Sequence, residues 1–177
     1  MRSVPAILLF AVSLTCSLQA HAQLGPGCGP ANIKFDVSTT KAQPSAVTPP
    51  SGKALVYFLQ DDFKYDFPPR PTTRFGIDGT WIGATHANSY FYVFVDPGDH
   101  DACASWQSGI TKESRPTAAA HFTAQAGHVY YFRAQDIYLN AHGGPISPPE
   151  VKLSLLDSDE AQVLINSFSF SSSHPKK

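Results

Sequence analysis

Six of the seven histidines lie beyond the first 22 residues, and imidazole binds metal ions and moves protons near neutral pH. His121 and His128 are close enough in sequence to flank a hairpin. A two-residue loop would project both rings from one face, whereas a three-residue loop would point them apart. Even the first case supplies only two ligands, and no H-x-H or H-E-x-x-H motif adds a third. We therefore predict no metal site. The six are His86, His100, His121, His128, His142 and His174.

The run Asp99-His100-Asp101 combines an acid and a base, but in a strand His100 points away from both aspartates. No G-x-S-x-G nucleophile motif occurs, and residues 25–29 place proline where a phosphate loop needs backbone donors. The sequence therefore predicts no catalytic residue and no cofactor. The alternative is a histidine-based metal-binding protein or hydrolase, with His100, His121 or His128 beside nearby carboxylates.

Three aromatic rings, Phe63, Tyr65 and Phe67, fall within five residues of a proline-rich segment. In residues 61–71 such rings must either fold back on the core or be presented to a partner. Aromatic side chains are enriched at binding surfaces because they combine large contact area with, in tyrosine, a polar tip. We predict that these rings form a partner-binding loop.

The elements that would position these side chains are strands. Residues 54–59 are an unbroken apolar run, which predicts a strand covered on both faces. Thr73, Phe75 and Ile77 alternate with polar or small residues. Asp78-Gly79 is a favoured pair for a two-residue type I′ hairpin, because both positions need positive φ. Residues 89–95 and 129–132 are rich in β-branched and aromatic residues, which favour strands.

Turn signals between seven or eight short strands predict an all-β fold, an antiparallel β-sandwich over residues 52–170. Asp157 and Glu160 predict the start of one short C-terminal helix, which would cap an open end or an edge. Residues 23–51 indicate a Pro/Gly-rich linker, with a possible short strand where Ile33, Phe35 and Val37 alternate. Residues 171–177 are predicted to be a disordered tail.

The first 22 residues have the pattern of a signal peptide: Arg2, an apolar run, and Ala20-His21-Ala22 as a small-x-small cleavage site. The protein is therefore expected to be exported to the periplasm or beyond. A lipid anchor on Cys16 is an alternative. Removal of the leader leaves Cys28 and Cys103, which in an oxidising compartment are expected to form a disulfide.

The charge balance excludes one large class of partner. The chain has 13 Lys and Arg, of which Arg2 lies in the leader, against 14 Asp and Glu. A nearly neutral chain with no basic run lacks the electrostatic footprint of a nucleic-acid-binding protein. Beyond the leader, no apolar stretch is long enough to span a bilayer, so the mature chain is expected to have no transmembrane segment.

Four motifs in order resemble a bacterial family of exported or lipid-anchored domains of unknown function. The resemblance covers roughly residues 52–166, and its middle is similar to the PEGA domain, a surface-exposed β-sandwich. It implies a PEGA-like or Ig-like core and no known enzyme activity, and its P-G-x-H motif falls on Pro97, Gly98 and His100. The aromatic insertion at residues 61–71 is not part of the pattern. The motifs are Gly52-Lys53-Ala54-Leu55-Val56-Tyr57-Phe58, Ile77-Asp78-Gly79, Asp96-Pro97-Gly98-Asp99-His100 and Ala126-Gly127-His128-Val129-Tyr130-Tyr131-Phe132.

Together these features predict a non-enzymatic envelope protein that binds another protein or a surface glycan. A third possibility is a lipid-anchored structural accessory protein, in which residues 43–51 act as a spacer.

Overall fold

The computed structural model describes residues 27–66, 68–108, 115–139 and 148–177. Within these ranges the chain forms ten strands and one short helix. The elements are β1 Phe35–Thr40, β2 Ala54–Tyr65, β3 Thr72–Ile77, β4 Thr80–His86, β5 Ser89–Val95, β6 Gly98–Trp106, β7 Thr117–Ala124, β8 Val129–Tyr138, β9 Glu150–Leu156, α1 Ser158–Ser167 and β10 Ser169–Pro175.

The strands form two sheets, so the predicted all-β architecture is confirmed at the level of two packed layers. The six-stranded sheet has the order β1-β10-β5-β2-β8-β9, and the four-stranded sheet has the order β4-β3-β6-β7. The prediction of purely antiparallel pairing is wrong, because β2 pairs with β8, and β5 with β10, in parallel. Parallel pairing arises because β8 enters the six-stranded sheet after the chain has crossed from the other sheet.

The core between the sheets is built from aromatic rings. Phe58 on β2 lies 5.0 Å from Phe75, 5.6 Å from Phe91 and 5.7 Å from Phe132, measured between ring centroids. Strand alternation sends Phe58 inward and Leu59 outward, yet both are fully buried. The prediction that this run is covered on both faces is therefore confirmed.

Local signals for the hairpin and the helix agree with the structure. Asp78 and Gly79 both have positive φ, 50° and 77°, as a type I′ turn requires. Helix α1 begins after Asp157, whose side chain accepts hydrogen bonds from the backbone N–H groups of Asp159 and Glu160. The helix does not cap an end or an edge as expected. Instead, it packs on the outer face of the six-stranded sheet, where Ala161, Ile165 and the C-cap Phe168 join a second core cluster.

The two terminal segments are part of the domain. Residues 171–175, expected to be disordered, belong to β10, which pairs with β1. Cys28 and Cys103 form a disulfide with a Cα–Cα distance of 5.1 Å. Gly27 (φ +82°) lies so close to β6 that a Cβ there would meet the Asp101 carbonyl oxygen at 2.2 Å. The stretch predicted as a linker is thus packed against the sandwich from residue 27 onward.

Arg74 holds the N-terminal segment on the four-stranded sheet. Its Nη1 donates to the carbonyl oxygens of Ala31 and Ile33, and its guanidinium lies 4.2 Å from the Trp81 ring centroid. Burial lowers the pKa of Arg74 to about 10, with a further contribution from Arg115. No helix in the part of the chain that the structure describes is long and apolar enough to cross a membrane.

Candidate functional site

A row of tyrosines crosses the outer face of the six-stranded sheet. Tyr57 on β2 is paired with Tyr92 on β5 and with Tyr131 on β8, so the three rings stand side by side on adjacent strands. The Tyr57 ring centroid lies 5.5 Å from that of Tyr92 and 5.2 Å from that of Tyr131. We call these three residues the tyrosine row. Cross-strand aromatic pairs of this kind stabilise a sheet, but they also form a rigid aromatic surface.

A cleft of about 250 Å³ opens beside the tyrosine row. Its floor is the sheet, one wall is α1, and the other wall is the extended segment of residues 43–47. We call this space the tyrosine cleft. None of its lining residues is charged. They are Gln43, Pro44, Ser45, Ala46, Val47, Tyr57, Tyr90, Val129, Tyr131, Gln162, Ile165 and Asn166.

Gln43 attaches the wall segment to the helix and to the sheet. Its Nε2 donates to the carbonyl oxygens of Ile165 (3.2 Å) and Phe168 (2.8 Å), at the C-terminal end of α1. The Tyr90 hydroxyl donates to Gln43 Oε1. The Ile165 carbonyl oxygen already accepts from the Phe168 N–H at the C-cap, so Gln43 gives it a second donor and also binds the carbonyl oxygen of the cap residue itself. Gln43 therefore attaches one end of the cleft wall to both the helix and the sheet.

The tyrosine hydroxyls around the cleft differ in their partners. Tyr131 accepts a hydrogen bond from Gln162 Nε2 at 3.1 Å. The Tyr57 ring is half-buried, and its hydroxyl, which makes no hydrogen bond to another described residue, is open to solvent in the cleft. Burial and then the neighbouring Tyr131, Tyr90 and Tyr92 raise the pKa of Tyr57 to about 12. Tyr57 therefore offers the cleft a protonated hydroxyl on a fixed ring.

The structure places the described rings of the predicted aromatic loop in different environments. Phe63 is 65% exposed and its ring lies 6.0 Å from that of Phe168. Tyr65 is a core residue, 5% exposed, with its ring edge-on to Trp106 at 5.5 Å. Phe67 lies outside the described residues. The two described rings are in β2 rather than in a loop, and only Phe63 is presented to solvent.

His100 has a structural environment. Its Nδ1 is 2.6 Å from Asp78 Oδ2 and its Nε2 is 2.8 Å from the Asp96 carbonyl oxygen. Partial burial alone would lower the pKa of His100, but the hydrogen bonds to Asp96 and Asp78 and their charge raise it. Both ring nitrogens face acceptors, so the ring, when protonated, donates to both and joins two turns. This contact gives a physical reason for histidine in the P-G-x-H motif.

The expected hairpin between His121 and His128 does not form, because β7 and β8 belong to different sheets. His121 Nδ1 lies 3.1 Å from Asp101 Oδ1, and its Nε2 lies 4.0 Å from Asp99 Oδ1. The ring of His128 approaches only the Ala126 carbonyl oxygen, at 3.3 Å among the described atoms. The structure therefore does not assemble these histidines into one site.

A buried polar network between the sheets was missed by the sequence analysis. Gln60 Nε2 lies 2.9 Å from both Asp62 Oδ1 and Asp136 Oδ2. Asp136 also accepts from Trp106 Nε1 at 2.7 Å and from Thr73 Oγ1 at 3.0 Å. The signal was available, because alternation from Phe132 through Ala134 places Asp136 on the inward face of β8.

The pKa values of the two carboxyl groups in this network are raised by their surroundings. Burial, followed by the charge of Asp62, raises the pKa of Asp136 well above its usual value. Burial likewise raises the pKa of Asp62, although its hydrogen bonds with Gln60 and Asp136 and the charge of Arg70 oppose the change. Within the described part of the chain Asp62 Oδ2 has no hydrogen-bond partner, and Arg70 Nη1 is 3.9 Å away. Such a pair favours holding one proton between two carboxyl groups.

Within residues 27–66, 68–108, 115–139 and 148–177, no group of three or more His, Cys, Asp or Glu side chains is arranged to hold a metal ion. The tyrosine cleft is thus the described feature with the shape and chemistry of a ligand site. It is concave and mostly aromatic or apolar, with a few convergent polar groups.

Comparison with known proteins gives a family but no activity. Neither a curated protein nor a solved structure matches the chain. Residues 50–144 match the family model described as Protein of unknown function (DUF2846). That range includes β2 to β8, hence the strands of the tyrosine row, the P-G-x-H turn and the buried carboxyl pair. The chain therefore belongs to the DUF2846 family of proteins of unknown function.

Proposed function

We propose that this protein is an exported β-sandwich of the bacterial envelope that acts by binding, with the tyrosine cleft as its binding site. Its partner is a protein or a surface glycan. The observation that carries the proposal is the tyrosine cleft itself, an uncharged concave space of about 250 Å³ lined by the rings of Tyr57, Tyr90 and Tyr131.

The position of the cleft supports binding on a rigid surface. Its tyrosines stand on β2, β5 and β8, and each of these strands has a neighbour on both sides in the six-stranded sheet. Rigid strands hold a binding surface more accurately than loops do. The proposed PEGA-like relationship is compatible with this role, since that domain is a surface-exposed sandwich.

Export is proposed from the leader-like first 22 residues. The Cys28–Cys103 disulfide supports it, because disulfides persist mainly in oxidising compartments. The lipid-anchored alternative on Cys16 would place the same cleft at a membrane surface without changing its chemistry.

The proposal is tested with protein carrying ¹³C-labelled tyrosine rings. Solubilised protein and glycan fractions of a bacterial envelope are added separately, and the ring signals are followed by NMR. We expect one fraction to shift the signals of Tyr57 and Tyr131 and to leave Tyr65, in the core, unchanged. The bound component is then purified and identified by mass spectrometry.

Two matched variants locate the binding site. Tyr57→Ser should abolish the response, whereas Phe63→Ser removes an exposed ring from the same face of β2 and should leave the response intact. Equal loss in both variants, or full binding by Tyr57→Ser, would show that the tyrosine cleft is not the site.

A further inference from the structure

We infer that the ligand of the tyrosine cleft is a neutral sugar residue of a glycan. This inference rests on the proposed binding function and names the chemical class of the ligand. A sugar ring has an apolar face of C–H groups and a rim of hydroxyls, so it needs aromatic surface and hydrogen-bonding groups together. The cleft offers both, with Tyr57 and Tyr131 beside the polar side chains of Ser45, Gln162 and Asn166.

The absence of charge in the lining selects a neutral ligand. All twelve lining residues are uncharged. Arg133, which follows Tyr131 on the same face of β8, is paired with Glu160 at 2.6 Å. A charged ligand in this cleft would lose hydration without gaining an ionic partner, which is costly in a partly buried site. Tyr57 presents a neutral hydroxyl near neutral pH, as tyrosines ordinarily do, and can donate a hydrogen bond to a ligand oxygen.

The geometry disfavours the usual ways of binding a peptide. Strand addition needs a free sheet edge, but β2, β5 and β8 are all interior strands. A proline-rich ligand would need an open aromatic groove, and here the chain's own residues 43–47 already form one wall. The cavity of about 250 Å³ is also smaller than the roughly 300–1,000 Å³ typical of ligand pockets, which suits one ring rather than an extended segment.

The apolar side chains of the cleft fit the same ligand. Val47, Val129 and Ile165 line it together with the rings. These groups would contact the C–H surface or an N-acetyl methyl group of a sugar, while Asn166 and Gln162 reach the polar rim. Since the Gln162 amide already donates to the Tyr131 hydroxyl, that hydroxyl is left free to donate its own proton to a ligand oxygen.

The test uses the mature protein and four soluble probes, measured by ring NMR and calorimetry. Tetra-N-acetylchitotetraose and maltotetraose are neutral, tetragalacturonate is an acidic sugar of similar length, and octaproline is a peptide. We expect at least one neutral sugar to shift Tyr57 and Tyr131, and tetragalacturonate to bind about tenfold or more weakly, a difference of about 1.4 kcal/mol.

Two substitutions make the test specific to the cleft. Tyr57→Phe keeps the ring and the packing of the tyrosine row, and loss of one hydroxyl hydrogen bond should weaken sugar binding about fivefold to tenfold. Phe63→Ser should bind as the unsubstituted protein does. Unchanged affinity in Tyr57→Phe would contradict a direct role for the hydroxyl and overturn the inferred geometry.

Failure of the sugar inference is distinguishable from failure of the proposed function. If octaproline alone shifts the cleft rings, or if envelope fractions do so while both neutral sugars do not, the sugar inference is overturned and binding at the cleft stands. If neither the probes nor the envelope fractions shift the Tyr57 signals, both are overturned.

Discussion

At the scale of single residues, the most unusual feature is the carboxyl pair of Asp62 and Asp136 inside the sandwich. Both side chains are almost fully buried, at 1% and 0% exposure. No arginine or lysine is within salt-bridge distance of Asp136 among the described residues, and Arg70 is 3.9 Å from Asp62. The neutral donors Gln60, Trp106 and Thr73 satisfy part of the network. Buried networks of this kind are costly when one member becomes charged without a partner.

The pair predicts that stability falls as the pH rises. The folded state raises the pKa of both carboxyl groups, so it binds their protons more tightly than the unfolded chain does. The stability that this proton binding contributes is fully present below about pH 4, the ordinary pKa range of an unfolded carboxyl group. It is lost as the pH rises through the folded-state pKa. Asp62→Asn removes one titrating group and its repulsion on Asp136. The free energy of unfolding, measured with urea, should therefore change less between pH 4 and pH 8. The reduction should be about 1.4 kcal/mol for each unit by which folding had raised the pKa values.

His100 serves as the control for this prediction. Its pKa is also raised, so its contribution is present below about pH 6.5 and is lost as the pH rises through the folded-state value. His100→Gln should therefore reduce the pH dependence only above pH 6.5, whereas Asp62→Asn should reduce it from the acidic range upward. A pH profile unchanged in Asp62→Asn would mean that the pair does not titrate differently in the folded state.

At the scale of elements, the end of β2 explains why the aromatic rings separate. In a regular strand, Phe63 and Tyr65 would share one face. The pairing of β2 with β8 shifts register between Asp61 and Lys64, which is a β-bulge or a similar irregularity. Such an irregularity redirects the following side chains. Phe63 therefore points outward toward Phe168, and Tyr65 points inward toward Trp106.

The division of these rings is tested by two serine substitutions. Tyr65→Ser should destabilise the protein by about 3–5 kcal/mol, as large-to-small changes of buried aromatics do. Phe63→Ser should change the free energy of unfolding by less than about 1 kcal/mol, because the ring is mostly exposed. Both values are measured by urea denaturation at one pH. A small effect of Tyr65→Ser would restore the idea of a presented ring.

At the scale of the whole molecule, the N-terminal segment covers the outer face of the four-stranded sheet and is bonded to it. The disulfide joins positions 75 apart in sequence, and Trp81 donates from Nε1 to the Pro30 carbonyl oxygen at 2.8 Å. Phe35, Trp81, Ala84 and Cys103 form a third buried cluster under this segment. The outer faces of both sheets are thus covered by parts of the chain that lie outside the residues matched by the family model.

The disulfide predicts a large effect on stability and a defined mass. Replacing both cysteines by serine should lower the free energy of unfolding by up to about 4 kcal/mol, because the closed loop is long. Protein purified from an envelope should begin at Gln23 and be about 2 Da lighter than its reduced form, since one S–S bond replaces two thiol hydrogens. A mass that begins at Cys16 with an added lipid would instead support the anchored alternative.

The sequence by itself determined the features that depend on neighbouring residues. The Asp78-Gly79 turn, the capped start of α1 and the doubly covered strand at residues 54–59 follow from local φ preferences, capping and apolar patterning. Tertiary structure alone decided which strands become neighbours. It separated His121 from His128, turned Tyr65 into the core, and placed Tyr57, Tyr92 and Tyr131 in one row. The physical reason is that register and sheet membership arise from contacts between residues distant in sequence, which no local pattern encodes.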